Sequence, residues 1–286
     1  MDLCDIQQIK ALLARHGFRF SKSMGQNFLI QSWVPRDIAE ASGAGPGTGV
    51  LEIGPGIGPL TTQLAQRADR VVAVELDRSL QPILAETLAD RPNVSVVYGD
   101  VLKTDLAALA AERFQGLRPL VCANLPYNIT TPVITAFLEA GCFQTITVMI
   151  QREVARRICA APGTGDYGAF SVFCQYHAQT ELLFDVPPDC FLPAPKVTSS
   201  VLRLTPKEPP AEVDDPEHFF RVVKAAFAQR RKTLLNGLSA AFGSQYSKEA
   251  LSAVLADCGL PAGIRGERLG IPEFARLSEL LRQNSQ

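Results

Sequence analysis

Short apolar runs separated by amphipathic stretches of helical spacing dominate the chain between residues 50 and 150. Residues 50–53, 71–75, 94–98, 120–123 and 145–150 read as strands, each rich in Val, Ile and Leu and only a few residues long. Residues 60–67, 79–88 and about 131–140 place apolar side chains at helical spacing between them. Strands alternating with helices predict a mostly parallel sheet covered by helices on both faces, an α/β fold. Two further helices precede the sheet, over 6–15 and 32–41, with a loop over 21–28.

After Ile150 the pattern changes. Residues 151–159 and 169–177 read as helices, and 181–186 and 201–204 as strands that bracket a proline-rich run over 187–195. Those two strands predict a hairpin that completes the sheet. The stretch 206–216 is acidic and proline-rich, the signature of an exposed linker. Only helical patterns follow, over 217–228, 233–240, 248–258 and 272–281. The expected division is therefore an α/β domain over 1–206, with a helical arm over 1–47, and a helical domain over 207–286.

Composition changes this picture mainly by exclusion. The chain has 286 residues, 47% of them hydrophobic and 20% charged, which is ordinary for a soluble globular protein and excludes disorder, collagen and coiled coil. Its apolar runs fall far short of the roughly 20 residues that cross a bilayer, so no membrane association is expected. Asp2 and Asp5 stand where a secretory or organellar leader is basic, and a cytoplasmic location is expected. Seven cysteines with no C-x-x-C pair and three scattered histidines predict reduced thiols and no metal site.

Net charge is −1, yet its distribution is uneven. From His218 to Lys248 there is no acid, while Arg221, Lys224, Arg230, Arg231, Lys232 and Lys248 are all cationic. Lys10, Arg15, Arg19 and Lys22 outnumber Asp2 and Asp5 in the first thirty residues. Arg221 and Lys224 fall on one face of the helix that starts the second domain, opposite an apolar stripe of Phe219, Phe220, Val223, Ala226 and Phe227. Such a local basic footprint fits phosphate contact, with a merely solvated face as the alternative.

The candidate chemistry sits at strand ends. Gly54-Pro55-Gly56-Ile57-Gly58 follows the first strand, where glycines let a ligand approach the backbone. Pro59 occupies the position at which a dinucleotide fingerprint needs Gly or Ala, which counts against a nicotinamide oxidoreductase. Glu75 ends the second strand, where a carboxylate can accept from both hydroxyls of a ribose. Asp100 ends the third, placed to accept from an adenine amine or to cap the following turn. Asn124-Leu125-Pro126-Tyr127 follows the fourth. It offers a side-chain carbonyl, a backbone carbonyl stiffened by the proline after it, and an aromatic face. An exocyclic amine on a flat ring has the complementary donors and shape. Phe191, in a loop stiffened by Pro188, Pro193 and Pro195, is the candidate for a second aromatic face, with a hydrophobic plug as its alternative reading.

These motifs closely resemble those of the class I S-adenosylmethionine-dependent rRNA adenine N6-dimethyltransferases, and in particular the bacterial branch acting on small-subunit (16S) rRNA. The resemblance covers nearly the whole chain. Lys22-Ser23-Met24-Gly25-Gln26-Asn27-Phe28-Leu29, Glu52–Gly58, Glu75-Leu76-Asp77, Gly99-Asp100-Val101 and Asn124–Ile129 carry it, with Phe191–Val197 and Phe227–Leu234 beyond. It implies a Rossmann-like seven-strand sheet and a small all-helical C-terminal domain that binds RNA. S-adenosylmethionine is the implied cofactor: Asn27 and Leu29 close over it, Gly54 contacts its amino-acid part, Glu75 holds the ribose, Asp100 meets the adenine amine, and Asn124 sits between cofactor and substrate. Asn124, Leu125, Tyr127 and Phe191 then form the catalytic set, and Arg221, Lys224, Arg230, Arg231 and Lys232 the RNA-binding one. The implied substrate is two adjacent adenosines in a hairpin loop near the 3′ end of small-subunit rRNA, modified by a monomer during biogenesis of the immature small ribosomal subunit. A large-subunit rRNA adenine dimethyltransferase and an assembly factor that acts mainly by binding are the competing expectations.

Overall fold

From its N-terminus the chain runs α1 (Ile6–Arg15), β1 (Phe28–Leu29), α2 (Trp33–Ala41), β2 (Thr48–Ile53), α3 (Pro59–Ala65), β3 (Arg70–Glu75), α4 (Gln81–Thr87), β4 (Val94–Tyr98), α5 (Leu106–Arg113), β5 (Arg118–Asn124), α6 (Thr130–Ala140) and β6 (Thr145–Gln151). It continues through α7 (Arg152–Ile158), α8 (Ala169–His177), β7 (Ala178–Val186), β8 (Phe191–Leu192), β9 (Ser199–Pro206), α9 (Pro216–Phe227), α10 (Leu234–Phe242), α11 (Lys248–Asp257) and α12 (Ile271–Gln283). The computed structural model describes residues 1–20 and 25–284, so Lys22, Ser23 and Met24 lie outside the described residues.

Seven strands form one sheet in the order β4-β3-β2-β5-β6-β9-β7. Strands β2 to β6 are parallel, and β9 lies antiparallel on β6 with Met149 opposite Val201 and Gln151 opposite Ser199. β2 is buried along its whole length, as a central parallel strand with both faces covered must be. The two late strands expected to complete the sheet do so as β7 and β9. The parallel order reverses beside β2, between β3 and β5. Open α/β sheets bind ligands at such a switch point, at the carboxyl ends of the strands.

Three elements carry no readable pattern. β1 and β8 are two residues each and pair antiparallel, Phe28 opposite Leu192 and Leu29 opposite Phe191, extended by Ile30 N–H donating to the Cys190 carbonyl at 2.9 Å. α5 has alanine where an amphipathic helix alternates. Its start is set by the Asp105 carboxylate accepting from Ala108 N–H at 2.9 Å, an N-cap ahead of strong helix formers.

The chain packs as two units, the first formed by Met1–Ala155 with Thr180–Pro206 and the second by Arg156–Gln179 with the chain from Lys207 onward. Residues 156–179, which a boundary at 206 assigns to the first domain, therefore group with the second unit. Tyr167, Val172 and Tyr176 share its core with Phe219, Val222 and Val223 of α9, Leu238 and Phe242 of α10, and Phe274 of α12. A Cβ on Gly237 of α10 would lie 2.6 Å from the Ala225 carbonyl, so this glycine permits the close approach of α9 and α10. No helix among the described residues is long and apolar enough to cross a membrane.

Candidate active site

The carboxyl ends of β2, β3, β4 and β5 open into one cavity within the first unit. Its lining includes Gly54 and Gly56 after β2, Glu75 and Leu76 after β3, Asp100 and Val101 after β4, and the run from Asn124 to Ile129 after β5. Asn27 and Phe28 border it from β1, and Phe191 from β8. Topology thus gathers residues spread over more than 160 positions of sequence.

The glycine turn is shaped by positive backbone angles. Gly56 has φ +60°, and a Cβ there would lie 3.3 Å from the Phe28 ring, so only glycine lets the turn and the β1 segment approach this closely. Pro59, the residue that departs from a dinucleotide fingerprint, is the first residue of α3, where its missing N–H costs nothing.

Glu75 is buried, and its Oε1 accepts from Asp77 N–H at 2.7 Å. Burial pushes its carboxyl above the ordinary carboxylate range, while backbone N–H groups of Asp77, Gly56 and Leu76 pull it back. The acceptor is thereby held in one place. Asp100 Oδ1 caps the following turn, accepting from Leu102 N–H at 3.0 Å, and the residue borders the cavity. Leu76 and Val101 contribute apolar lining beside these acids. S-adenosylmethionine fits this lining: carboxylates able to accept from hydroxyls and an amine, apolar side chains beside them, and a glycine turn that leaves the backbone open.

Asn124 closes β5, and Leu125 N–H donates to the Met149 carbonyl at 3.1 Å, which sets the turn. The Pro126 carbonyl is taken by Ile129 N–H at 3.2 Å and the Thr130 hydroxyl at 3.3 Å. Among the described residues, neither the Asn124 side chain nor the Leu125 carbonyl is engaged in a hydrogen bond. Tyr127 starts the short turn Tyr127–Ile129, and its hydroxyl lies 2.7 Å from Ser199 Oγ. Phe191, only 3% exposed, packs in the core with Leu29 and also borders the cavity.

One expected position differs. Leu29 is absent from the cavity lining. Side chains alternate along an extended strand, so Phe28 borders the cavity while Leu29, 2% exposed, turns into the core with Val34 and Ile38. Asn27 does border it, with its amide donating to the Gly25 carbonyl at 3.0 Å. Sequence reading missed Phe28, Leu76, Val101 and the clip from Gln26 Nε2 to Asp77 Oδ2 at 2.6 Å. Adjacency to Asn27, Glu75 and Asp100 was the available signal for the first three.

Glu52 lies beneath the cavity on β2, fully enclosed, and its Oε2 has no hydrogen-bond partner among the described residues. Burial, reinforced by the Glu75 charge and partly offset by Thr61, pushes its carboxyl up to about 8. The folded chain thus keeps a proton that the unfolded chain releases near pH 4.5. This contribution to stability is complete below that pH and is lost as pH rises toward 8. Glu52→Gln is therefore expected to match the wild type in thermal stability at pH 5 and to exceed it at pH 9, by on the order of a few kcal/mol. Thermal unfolding of both proteins across that range checks this, and parallel curves reject it.

The five basic candidates belong to the second unit. Arg221 and Lys224 lie on α9, and Arg230, Arg231 and Lys232 in the turn before α10, all exposed. Two are partly committed: Arg221 stacks over Phe242 at 4.5 Å and donates to Gln245 at 3.0 Å, and Arg230 donates to the Gly165 carbonyl. Among the described residues, no group of three or more His, Cys, Asp or Glu is placed to hold a metal.

Comparison with known proteins agrees with this geometry. Residues 17–259 match the family described as ribosomal RNA adenine dimethylase. The chain is 48% identical over 283 residues to the ribosomal RNA small subunit methyltransferase A of Shouchella clausii, covering 98% of this chain and 96% of that protein. Among solved structures, the 23S rRNA methyltransferase ErmE is 30% identical, with a TM-score of 0.66 over 90% of this chain and 100% of that one. A dimethyladenosine transferase from Plasmodium falciparum has the same fold at 24% identity, with a TM-score of 0.74 over 90% of this chain and 97% of that one. A sheet that gathers Gly54, Glu75, Asp100 and the Asn-Leu-Pro-Tyr turn around one cavity, in a chain whose residues 17–259 match the family, places the protein in the ribosomal RNA adenine dimethylase family.

Proposed function

We propose that this enzyme dimethylates N6 of two adjacent adenosines in a hairpin loop near the 3′ end of small-subunit rRNA, acting on the immature small ribosomal subunit. The observation that carries the choice of target is the near full-length 48% identity to a small-subunit enzyme, against 30% to the 23S rRNA enzyme ErmE. S-adenosylmethionine supplies the methyl group as an already electrophilic sulfonium carbon.

The chain's own task is to present the nucleophile. The N6 lone pair of adenine is delocalised into the ring. In this reading the Asn124 side-chain oxygen and the Leu125 carbonyl accept the two N6–H bonds, which draws the nitrogen toward tetrahedral geometry and aims its lone pair. That is positioning and electrostatics: the methyl leaves sulfur as the N6–C bond forms, and the cationic N6 then loses its proton to water, so no side chain has to act as general base. Extrusion of the base from its stack costs a few kcal/mol, and stacking on Tyr127 and Phe191 returns roughly 1–3 kcal/mol per base. Gly54, Glu75, Asp100 and Asn27 hold the cofactor. Arg221, Lys224, Arg230, Arg231 and Lys232 contact phosphates, which assigns RNA binding to the helical domain.

Transfer of labelled methyl from the cofactor to immature small subunits, followed by digestion to nucleosides, tests the reading. The expected product is N6,N6-dimethyladenosine at two neighbouring positions. Label confined to large-subunit RNA would move the target, and binding of the subunit without any methyl transfer would favour an assembly factor.

A further inference from the structure

Two of the aromatic residues that border the cavity, Tyr127 and Phe191, belong to segments that meet at a residue outside its lining. Phe191 begins the proline-rich segment that ends at Ser199, the first residue of β9. Ser199 is fully buried and paired with Gln151 across β6, so its backbone is fixed by the sheet. Its Oγ lies 2.7 Å from the Tyr127 hydroxyl, across 72 residues of sequence. Tyr127 itself is half-buried on a short turn, and this bond holds the far end of its ring.

We propose that Ser199 is a positioning residue, whose hydroxyl pins the far end of the Tyr127 ring at the separation from Phe191 that admits one flat nucleobase. This rests on the reading of Tyr127 as a stacking face for the target adenine. The bond ties the Asn-Leu-Pro-Tyr turn to the strand that follows the Phe191 loop, so the two rings do not drift apart when no base lies between them. Preorganisation of this kind acts on the reacting complex and leaves the cofactor's contacts alone. Ser200 provides an internal control. Being next along the strand it points to the other face, where its hydroxyl donates to Asp185 at 2.5 Å.

The test measures kcat for methyl transfer to immature small subunits, together with the dissociation constant of S-adenosylmethionine. Loss of one such hydrogen bond corresponds to about a tenfold drop in kcat. Ser199→Ala and Tyr127→Phe are each expected to show it, with cofactor affinity within about twofold of wild type, and Ser200→Ala to keep wild-type kcat. The double variant Ser199→Ala/Tyr127→Phe is expected to be no slower than either single one, since both remove the same bond. Tyr127→Phe keeps the ring and carries the test should Ser199→Ala not fold. Wild-type kcat in Ser199→Ala, losses that multiply in the double variant, or an equal loss in Ser200→Ala would each overturn the pinning role. Tyr127→Ala separates the two readings: no loss there removes Tyr127 from the site altogether, whereas a loss there beside an unaffected Ser199→Ala defeats the pinning alone.

Discussion

Asn124→Ala is expected to lower the single-turnover rate of methyl transfer by about 10²–10³-fold, the usual cost of removing one preorganised polar partner of a reacting centre. The residue ends β5 at a fixed register with Met149, and its side-chain amide makes no hydrogen bond among the described residues. Its loss therefore leaves the turn, whose shape comes from Leu125 N–H on Met149 and from the Pro126 carbonyl bonds. In the proposed mechanism the Leu125 carbonyl remains to accept one N6–H, so the nucleophile is still held but no longer aimed. Cofactor affinity is expected to fall by less than about tenfold, because Gly54, Glu75 and Asp100 stay in place. Single-turnover rates and equilibrium cofactor binding on the same protein separate these effects. If the loss in rate were matched by the loss in affinity, Asn124 would serve the cofactor and not the base.

The strands of the parallel sheet were readable because each is a short apolar run bounded by a loop, and the strand-end acids because the fold class says where ligands bind. What could not be read follows from physics that leaves no local pattern. β1 and β8 are two residues long and exist through each other, by pairing across more than 160 positions. The inward turn of Phe28 and the outward turn of Leu29 from the cavity depend on that pairing, so no local periodicity distinguishes them. Residues 156–179 are contiguous with the first domain in sequence but share aromatic packing with α9, a tertiary preference that a linker-based boundary does not see. The Ser199 hydroxyl touches Tyr127 only because β9 runs antiparallel on β6.

Charge neutralisation of Lys224, Arg231 and Lys232 to alanine is expected to weaken binding to small-subunit RNA and to flatten its salt dependence. Each phosphate contact contributes roughly 0.7–0.9 to the slope of log K against log salt, so loss of all three reduces that slope by about 2–3. These three are exposed and, among the described residues, make no ion pair, so their removal should not lower thermal stability. Arg221 behaves differently, since its guanidinium lies over Phe242 and bonds Gln245. Arg221→Ala is expected to lower the melting temperature as well as RNA affinity, because the cation–π contact contributes on the order of 1 kcal/mol. Measuring binding to the same RNA at several salt concentrations, with melting curves alongside, distinguishes a phosphate contact from a structural one. An unchanged slope in the triple variant would show that the acid-free stretch is solvated surface, and would move RNA recognition to the basic N-terminal arm.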